Sequence, residues 1–201
     1  MFYIVELRDV IRVPPSKFGT PLKNVAYETL KTKYESSISP EYGYLIYIID
    51  LDVDKVGKII PGDGATYHHV VFRALTFLPK LQEIVEGEVV EVTDFGAFIR
   101  IGPADALLHL SQIIDDYLTC DIKQGVIIAT QSKRTLPVGS KVRVRIIAVS
   151  LGRGAAAGKI GVTCRQPFLG ALEWIEEDLK KVESKPEVKQ AEKKEKRTEH
   201  G

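Results

Sequence analysis

Frequent glycines after position 84 constrain the fold of this chain more than any other feature. Between them stand runs of β-branched and aromatic residues that suit short strands. Several short strands joined by glycine turns are typical of a small barrel, because closure leaves no strand edge unpaired. The sequence predicts these strands at Val85–Val92, Ala97–Ile101, Ala106–His109, Val142–Val149 and Lys159–Cys164.

The first 80 residues follow a different pattern. Phe2–Val13 is rich in β-formers and ends at a pair of prolines, which predicts a strand. Apolar residues then recur at helical spacing from Leu22 to Leu30 and predict an amphipathic helix. Further strands are predicted within Tyr44–Ile49 and Tyr67–Phe77. The order strand, helix, strand, strand favours a small α+β domain with the helix on one sheet face.

Together these patterns predict an α+β fold in four parts. The length of 201 residues suits one or two domains. We expect an N-terminal α+β domain over residues 1–80, an all-β barrel over 81–168 and a C-terminal helix over 169–182. Residues 183–201 are rich in alternating Lys and Glu and contain few apolar side chains, so this tail is predicted to be disordered.

Phe95, Phe98 and His109 have the side chains best suited to hold single-stranded nucleic acid, because flat aromatic rings stack on bases. On a regular strand Phe95 and Phe98, three positions apart, would face opposite ways. Gly96 between them permits a bulge that turns both rings to one side. The alternative is that one or both phenylalanines belong to the hydrophobic core.

Lys141, Arg143 and Arg145 share one face of a predicted strand whose other face is aliphatic. Alternate residues of a strand lie about 6.6 Å apart, which is similar to the phosphate repeat of an extended nucleic-acid strand. An ordinary solvated strand face explains the same pattern. Because the aromatic residues are present as well, we predict that rings and basic row form one RNA-binding face of the barrel.

The segment Phe95-Gly96-Ala97-Phe98, followed by Leu107–Ser111, Gly139–Ile146 and Ile160–Arg165, resembles the S1 RNA-binding motif. The resemblance covers residues 84–165 and implies an OB-fold barrel. The usual S1 ligand patch adds an Asp and a basic residue before the last strand. Here Ser150 stands where Asp is expected and Lys159 lies near the basic position, which implies weak, sequence-tolerant RNA binding.

The N-terminal half extends this resemblance to one family. Ile60–Tyr67, Val71–Pro79 and, downstream, Thr163–Pro167 are similar to the E-prime subunit of archaeal RNA polymerase, the counterpart of the seventh subunit of eukaryotic RNA polymerase II. The resemblance implies a non-catalytic stalk subunit whose RNP-like N-terminal domain binds the polymerase core and, as a heterodimer, a small partner called the F subunit. It further implies that the barrel binds nascent single-stranded RNA and that the protein supports open-complex formation and elongation.

The turn Gly62-Asp63-Gly64 is a candidate contact with the polymerase core. Two glycines around an acid allow a tight turn whose backbone a partner can approach closely. An ordinary hairpin turn explains the same residues. With the family resemblance, we predict that this turn is the tip that docks on the polymerase core. The alternative function is that of another S1 protein, an exosome cap or a translation factor, which would carry a different N-terminal domain.

No residue pattern predicts catalysis, a cofactor or a metal site. His68 and His69 are adjacent on a predicted strand and therefore face opposite ways. Asp50, Asp52 and Asp54 alternate, but they lack a further ligand and a glycine-centred loop. The chain is therefore expected not to be an enzyme by itself.

Composition sets further limits. The net charge of +1 excludes a bulk electrostatic nucleic-acid binder, so a local patch must contact RNA. Cys120 and Cys164 have no metal-binding spacing and are expected to be free thiols. No apolar run approaches the roughly 20 residues of a membrane span, and no signal peptide is evident, so a cytoplasmic protein is expected.

Overall fold

A computed structural model describes residues 1–35, 37–152 and 158–183 of the chain. These residues form two α-helices, α1 (Leu22–Tyr34) and α2 (Leu172–Glu183), and fourteen strands. The strands are β1 (Phe2–Val13), β2 (Ile38–Ser39), β3 (Gly43–Val53), β4 (Lys58–Ile59), β5 (Thr66–Phe77), β6 (Ile84–Val92), β7 (Gly96–Arg100), β8 (Asp105–His109), β9 (Leu118–Asp121), β10 (Val126–Ala129), β11 (Thr135–Pro137), β12 (Lys141–Ser150), β13 (Lys159–Thr163) and β14 (Gly170–Ala171).

The chain divides into two compact units. The first comprises Met1–Leu81 together with Gly102–Ala104 and Ala148–Ile160, and the second comprises Gln82–Ile101, Asp105–Ile147 and the residues from Gly161 onward. The domain boundaries expected from the sequence stay predictions, since short segments from the C-terminal half join the first unit.

An antiparallel sheet covered by α1 forms the first unit. Its strand order is β1-β5-β3-β2, and β4 pairs with β5. The helix buries Val25, Ala26 and Leu30 against the sheet, and the Tyr34 ring lies 5.2 Å from that of Phe72. Burial of each large side chain in this layer stabilises the fold by about 1.5–3 kcal/mol. β1 has the bounds predicted from the sequence.

The second unit contains a closed five-stranded barrel. Its order is β13-β8-β7-β6-β12, and a further pairing of β13 with β12 closes the ring. Alternate residues point inward, so that Ile99, Leu108 and Val144 are buried while their neighbours on the same strand are half-buried or exposed. The predicted α+β fold, a helix-covered sheet followed by a barrel, is therefore confirmed.

A small antiparallel sheet, β11-β10-β9, follows β8. The strand-like run Gly125–Ala129 of the sequence contains β10, but β9 and β11 were not predicted. Its strands have only three or four residues, which leaves too short a pattern to recognise. The Asp116 carboxylate holds the ends of this sheet together, because it accepts hydrogen bonds from the backbone N–H groups of Tyr117 (2.6 Å) and Ser132 (2.8 Å) and from the Ser132 hydroxyl (2.9 Å).

Helix α2 begins within the predicted helical segment, at Leu172. It buries Trp174 and Ile175, and the Arg134 guanidinium lies 5.5 Å from the Trp174 ring centroid and donates to Asp178. The predicted disordered tail lies outside the described residues from position 184 onward. Within the described ranges, no helix combines the length and apolar character needed to cross a membrane.

The two thiols differ in environment, which gives a chemical test of the fold. Burial raises the pKa of Cys164 to about 12, whereas burial together with nearby Asp94 raises the pKa of the half-buried Cys120. Because the thiolate is the reactive form, alkylation of the native protein near about pH 8 should modify Cys120 slowly and Cys164 only after unfolding. Mass spectrometry of the wild type and of Cys120→Ser would measure this. Rapid modification of Cys164 in the native variant would contradict the packing.

Candidate nucleic-acid interface

Phe95, Phe98 and His109 meet on the outer surface of the barrel, and we call them the aromatic patch. In the β7–β8 pair, Phe98 is opposite Leu107 and Gly96 is opposite His109. The rings of Phe95 and Phe98 contact each other edge to face, with centroids 6.2 Å apart. Phe95 is 44% exposed, Phe98 is half-buried and His109 is exposed. The two phenylalanines therefore share one side, and neither is a fully buried core residue.

Gly96 lets β7 approach β8 closely at the point where the two rings meet. A Cβ atom at this position would lie 2.2 Å from the Leu108 carbonyl oxygen and 3.0 Å from His109 Cα. Only glycine permits so close an approach of two strands. The turn before it is held by Thr93, whose backbone N–H (2.8 Å) and hydroxyl (3.0 Å) both donate to the Gly96 carbonyl.

The orientation of His109 follows from its contact with Ser111. The Ser111 backbone N–H donates to His109 Nδ1 at 3.2 Å, and the Ser111 hydroxyl lies 2.9 Å from the same nitrogen. A backbone N–H can only donate, so Nδ1 is the acceptor and the neutral ring carries its proton on Nε2. This leaves the Nε2–H edge of an exposed ring available as a donor to a ligand.

The basic row on β12 lies beside acidic residues of β6. Lys141 pairs with Glu88 and Arg143 with Glu86 in the antiparallel register. Arg143 donates from Nε (3.0 Å) and Nη2 (2.8 Å) to one oxygen of Glu86. Arg145 is half-buried, and its Nε atom is buried with no hydrogen-bond partner among the described residues. Of the three basic residues, Arg143 thus forms an ion pair with β6, and Lys141 lies opposite Glu88 in the register.

The aromatic patch and the basic row lie on different strands, so the predicted single face stays a prediction. Strand β6 lies between β12 and β7, so Arg143 and Phe98 are separated by about 10 Å across the sheet. Arg143 is level with Glu86 and Phe98 with Glu91, which adds about 16 Å along the strands. The cause is the barrel topology, which pairs β12 with β6 rather than with the strands of the rings.

The remaining predicted RNA contact, Lys159, is exposed at the start of β13. Ser150, which replaces the usual S1 Asp, is exposed at the end of β12. Residues 153–157 between them lie outside the described part of the chain.

Sequence reasoning missed the pairing of Glu86 and Glu88 with the basic row, although their alternation at the same spacing was a visible signal. It also assigned no role to Arg165, which lies next to Ser111.

In the predicted docking turn, Asp63 points back into the fold. Its carboxylate accepts hydrogen bonds from Arg12 Nε (2.8 Å) and Nη2 (2.7 Å), from the Tyr67 hydroxyl (2.7 Å) and from the Ala65 N–H (3.2 Å). The Arg12 bonds and then the Tyr67 bond hold the pKa of Asp63 well below its usual range. Gly62 adopts a φ of +90° and is exposed, as is Gly64.

Two of the residues considered for catalysis, His68 and Asp50, have structural partners. His68 is buried, with Nδ1 2.8 Å from the Asp54 carbonyl oxygen and Nε2 3.0 Å from the Thr66 hydroxyl. Asp50 forms an ion pair with Arg73. Among the residues that the structure describes, no group of three or more His, Cys, Asp or Glu side chains is placed to hold a metal ion.

Two family models match this architecture. The SHS2 domain found in N terminus of Rpb7p/Rpc25p/MJ0397 matches residues 8–64, and the S1 RNA binding domain matches residues 78–161. The fold and the patch therefore define a chain with an N-terminal SHS2 domain and a C-terminal S1 domain.

Curated relatives extend the match over most of the chain. The DNA-directed RNA polymerase subunit Rpo7 of Saccharolobus shibatae is 41% identical over 175 residues, covering 87% of this chain and 97% of that protein. The Rpo7 subunit of Saccharolobus solfataricus is 40% identical, covering 90% and 100%. The DNA-directed RNA polymerase II subunit RPB7 of Saccharomyces cerevisiae is 28% identical, covering 86% and 100%. The chain belongs to the family of Rpo7 and RPB7 subunits of DNA-directed RNA polymerase, and the family resemblance seen in the sequence is confirmed.

The contacts of Asp63 predict a pH-dependent contribution to stability. A carboxylate whose pKa is lowered by folding stabilises the protein above its unfolded pKa of about 3.9 and loses this effect as the pH falls through the folded value. Asp63→Ala should therefore lower the Tm at neutral pH, and the difference from wild type should shrink below about pH 4. Thermal unfolding across this range would measure it, with the exposed Asp54→Ala as the control. Equal Tm values at neutral pH would contradict a structural role for Asp63.

Proposed function

We propose that the chain is a non-catalytic stalk subunit of DNA-directed RNA polymerase that acts in the cytoplasm. It docks on the polymerase core together with a small partner, the F subunit, and its S1 barrel binds emerging single-stranded RNA. In this position it supports open-complex formation and elongation. The observation that carries the proposal is the aromatic patch, displayed on an S1 barrel in a chain of the Rpo7 and RPB7 family.

The aromatic patch supports stacking as the main source of RNA affinity. Phe95 and His109 are exposed, and the edge-to-face contact with Phe98 holds the Phe95 ring at a defined angle. Every base has a π-face, so such a platform binds bases without strong sequence preference. Because Arg143 donates two hydrogen bonds to Glu86, that part of the basic row is already paired within the sheet, and phosphate contacts there are expected to add less. Sequence-tolerant binding suits a protein that meets every transcript.

The N-terminal unit offers a surface suited to docking. Asp63 is occupied by Arg12 and Tyr67, so it shapes the turn rather than reaching for a partner. Residues that precede the turn expose aliphatic side chains instead, with Val56 86%, Ile59 71% and Ile60 49% exposed. Clustered exposed apolar side chains mark protein interaction sites. The tip and these aliphatic residues together are the proposed contact with the polymerase core.

The N-terminal half also weighs against the alternative of an exosome cap or a translation factor. Residues 8–64 match a domain described from polymerase subunits, and the Rpo7 relatives align over nearly their full length. No described feature favours the alternative.

Removal of a ring should weaken RNA binding. Phe98→Ala and His109→Ala should each lose about 1–3 kcal/mol per base contact, because stacking supplies that much per base. This corresponds to a loss of affinity of about 5- to 150-fold. Fluorescence titration of the full chain with a short single-stranded RNA would measure it. Phe18→Ala, which removes an exposed ring from the other unit, is the matched control and should bind like wild type.

Circular dichroism of each variant must accompany these titrations. If Phe98→Ala unfolds the barrel, the Phe98 ring is part of the core, and only His109→Ala then tests stacking on RNA. If the folded variants bind RNA as tightly as wild type, the stacking model is wrong.

Co-purification tests whether the N-terminal unit docks on the polymerase core. A tagged wild-type chain should co-purify with polymerase subunits, and Ile59→Asp with Ile60→Asp should reduce their recovery, because charges replace the exposed aliphatic contact. Ile122→Asp, an equally exposed aliphatic position in the second unit, is the control and should leave recovery unchanged. Recovery of exonuclease or ribosomal proteins instead of polymerase would contradict the proposal.

A further inference from the structure

Arg165, which follows the last barrel strand β13, lies at the edge of the aromatic patch. β13 runs parallel to β8 with Gly161 opposite Leu107, so that Arg165 comes level with Ser111. Two bonds to the Gln112 carbonyl fix this alignment, one from the Cys164 N–H (2.7 Å) and one from the Thr163 hydroxyl (3.3 Å). The position of Arg165 is therefore set by backbone pairing and does not depend on its own side chain.

The Arg165 side chain points outward beside the segment that carries His109. Val162 and Cys164 are buried, and Arg165, which stands two residues after the end of β13, is exposed. Its Nη1 donates to the Ser111 carbonyl oxygen at 3.4 Å. The N–H of the same Ser111 orients the His109 ring. The backbone of Ser111 thus contacts both the Arg165 guanidinium and the His109 ring.

The guanidinium is available to a ligand. Its ion-pair partner is Asp115, whose Oδ1 lies 3.0 Å from Nη2. The Asp115 side chain is 93% exposed and that of Arg165 is 45% exposed, and pairs exposed to this degree contribute about 0–1 kcal/mol. A phosphate can replace such a carboxylate, since a guanidinium binds phosphate through two parallel hydrogen bonds. Asp115 itself, and Asp94 beside Phe95, oppose a second phosphate nearby.

We propose that Arg165 binds the phosphate of the RNA nucleotide that stacks on the aromatic patch. The proposal rests on the RNA binding proposed above and names the residue that contacts the RNA phosphate at that site. It also assigns the phosphate contact to the end of β13 in place of the basic row on β12, because Arg165 contacts Ser111 beside His109, whereas β12 is separated from the strand of Phe98 by β6.

The test compares two arginines of similar exposure in the full chain. Arg165→Gln should weaken binding of a short single-stranded RNA several-fold for all sequences alike. It should also reduce the slope of log affinity against log salt by about 0.7, the contribution of one phosphate contact to a single strand. Arg73→Gln, which removes an exposed, ion-paired arginine from the first unit, is the control and should change neither quantity.

Asp115→Asn separates a phosphate contact from a structural role of the ion pair. Because it releases Arg165, it should strengthen RNA binding, whereas a structural role predicts weaker binding. If Arg165→Gln leaves affinity and salt slope unchanged while Phe98→Ala weakens binding, the assignment of Arg165 is overturned and the aromatic patch stands. If the wild-type chain shows no RNA binding, both the assignment and the proposed function fail.

Discussion

The close approach of β7 to β8 at Gly96 determines the geometry of the candidate site. The Leu108 carbonyl occupies the place that a side chain at position 96 would need. Because the strands meet this closely, Leu110 can donate to the Phe95 carbonyl at 3.0 Å and the segment that follows β8 starts beside the Phe95 ring. This contact places Phe95 next to the segment that carries Ser111, whose own bonds orient His109 and meet Arg165. Backbone contacts therefore hold much of the site.

Barrel closure determines the electrostatics. β12 must pair with β6 to close the ring, and this places the basic row against glutamates rather than against the rings. Neighbouring opposite charges on a sheet stabilise the pairing and at the same time reduce the attraction for phosphate. In the first unit Arg12 and Asp63 likewise pair with each other, within the predicted docking turn. The surfaces proposed to bind RNA and the polymerase core are aromatic in the second unit and aliphatic near the tip.

Much of the fold was predictable because the chain's local patterns agree with its tertiary structure. β1 is long and ends at two prolines, so its bounds were readable, and the glycine-rich second half indicated the barrel. The small sheet β9–β11 was not predicted as a unit because its strands are short and because the Asp116 carboxylate joins its ends through bonds from Gln131 and Ser132, 15 and 16 positions along the chain. In the site, residue types were predictable and their neighbours were not. Phe95 and Phe98 could be selected from their spacing around Gly96, but strand order decides that Glu86 compensates Arg143 and that Arg165 reaches Ser111.

Site-specific crosslinking in a working polymerase tests the central claim most directly. The claim is that the aromatic patch contacts RNA as it leaves the core. A polymerase assembled with Phe98→p-benzoylphenylalanine would be stalled at successive transcript lengths and irradiated. The account predicts that crosslinks to RNA are absent for short transcripts and appear once the transcript extends beyond the core. Crosslinks to protein alone at every transcript length would contradict it.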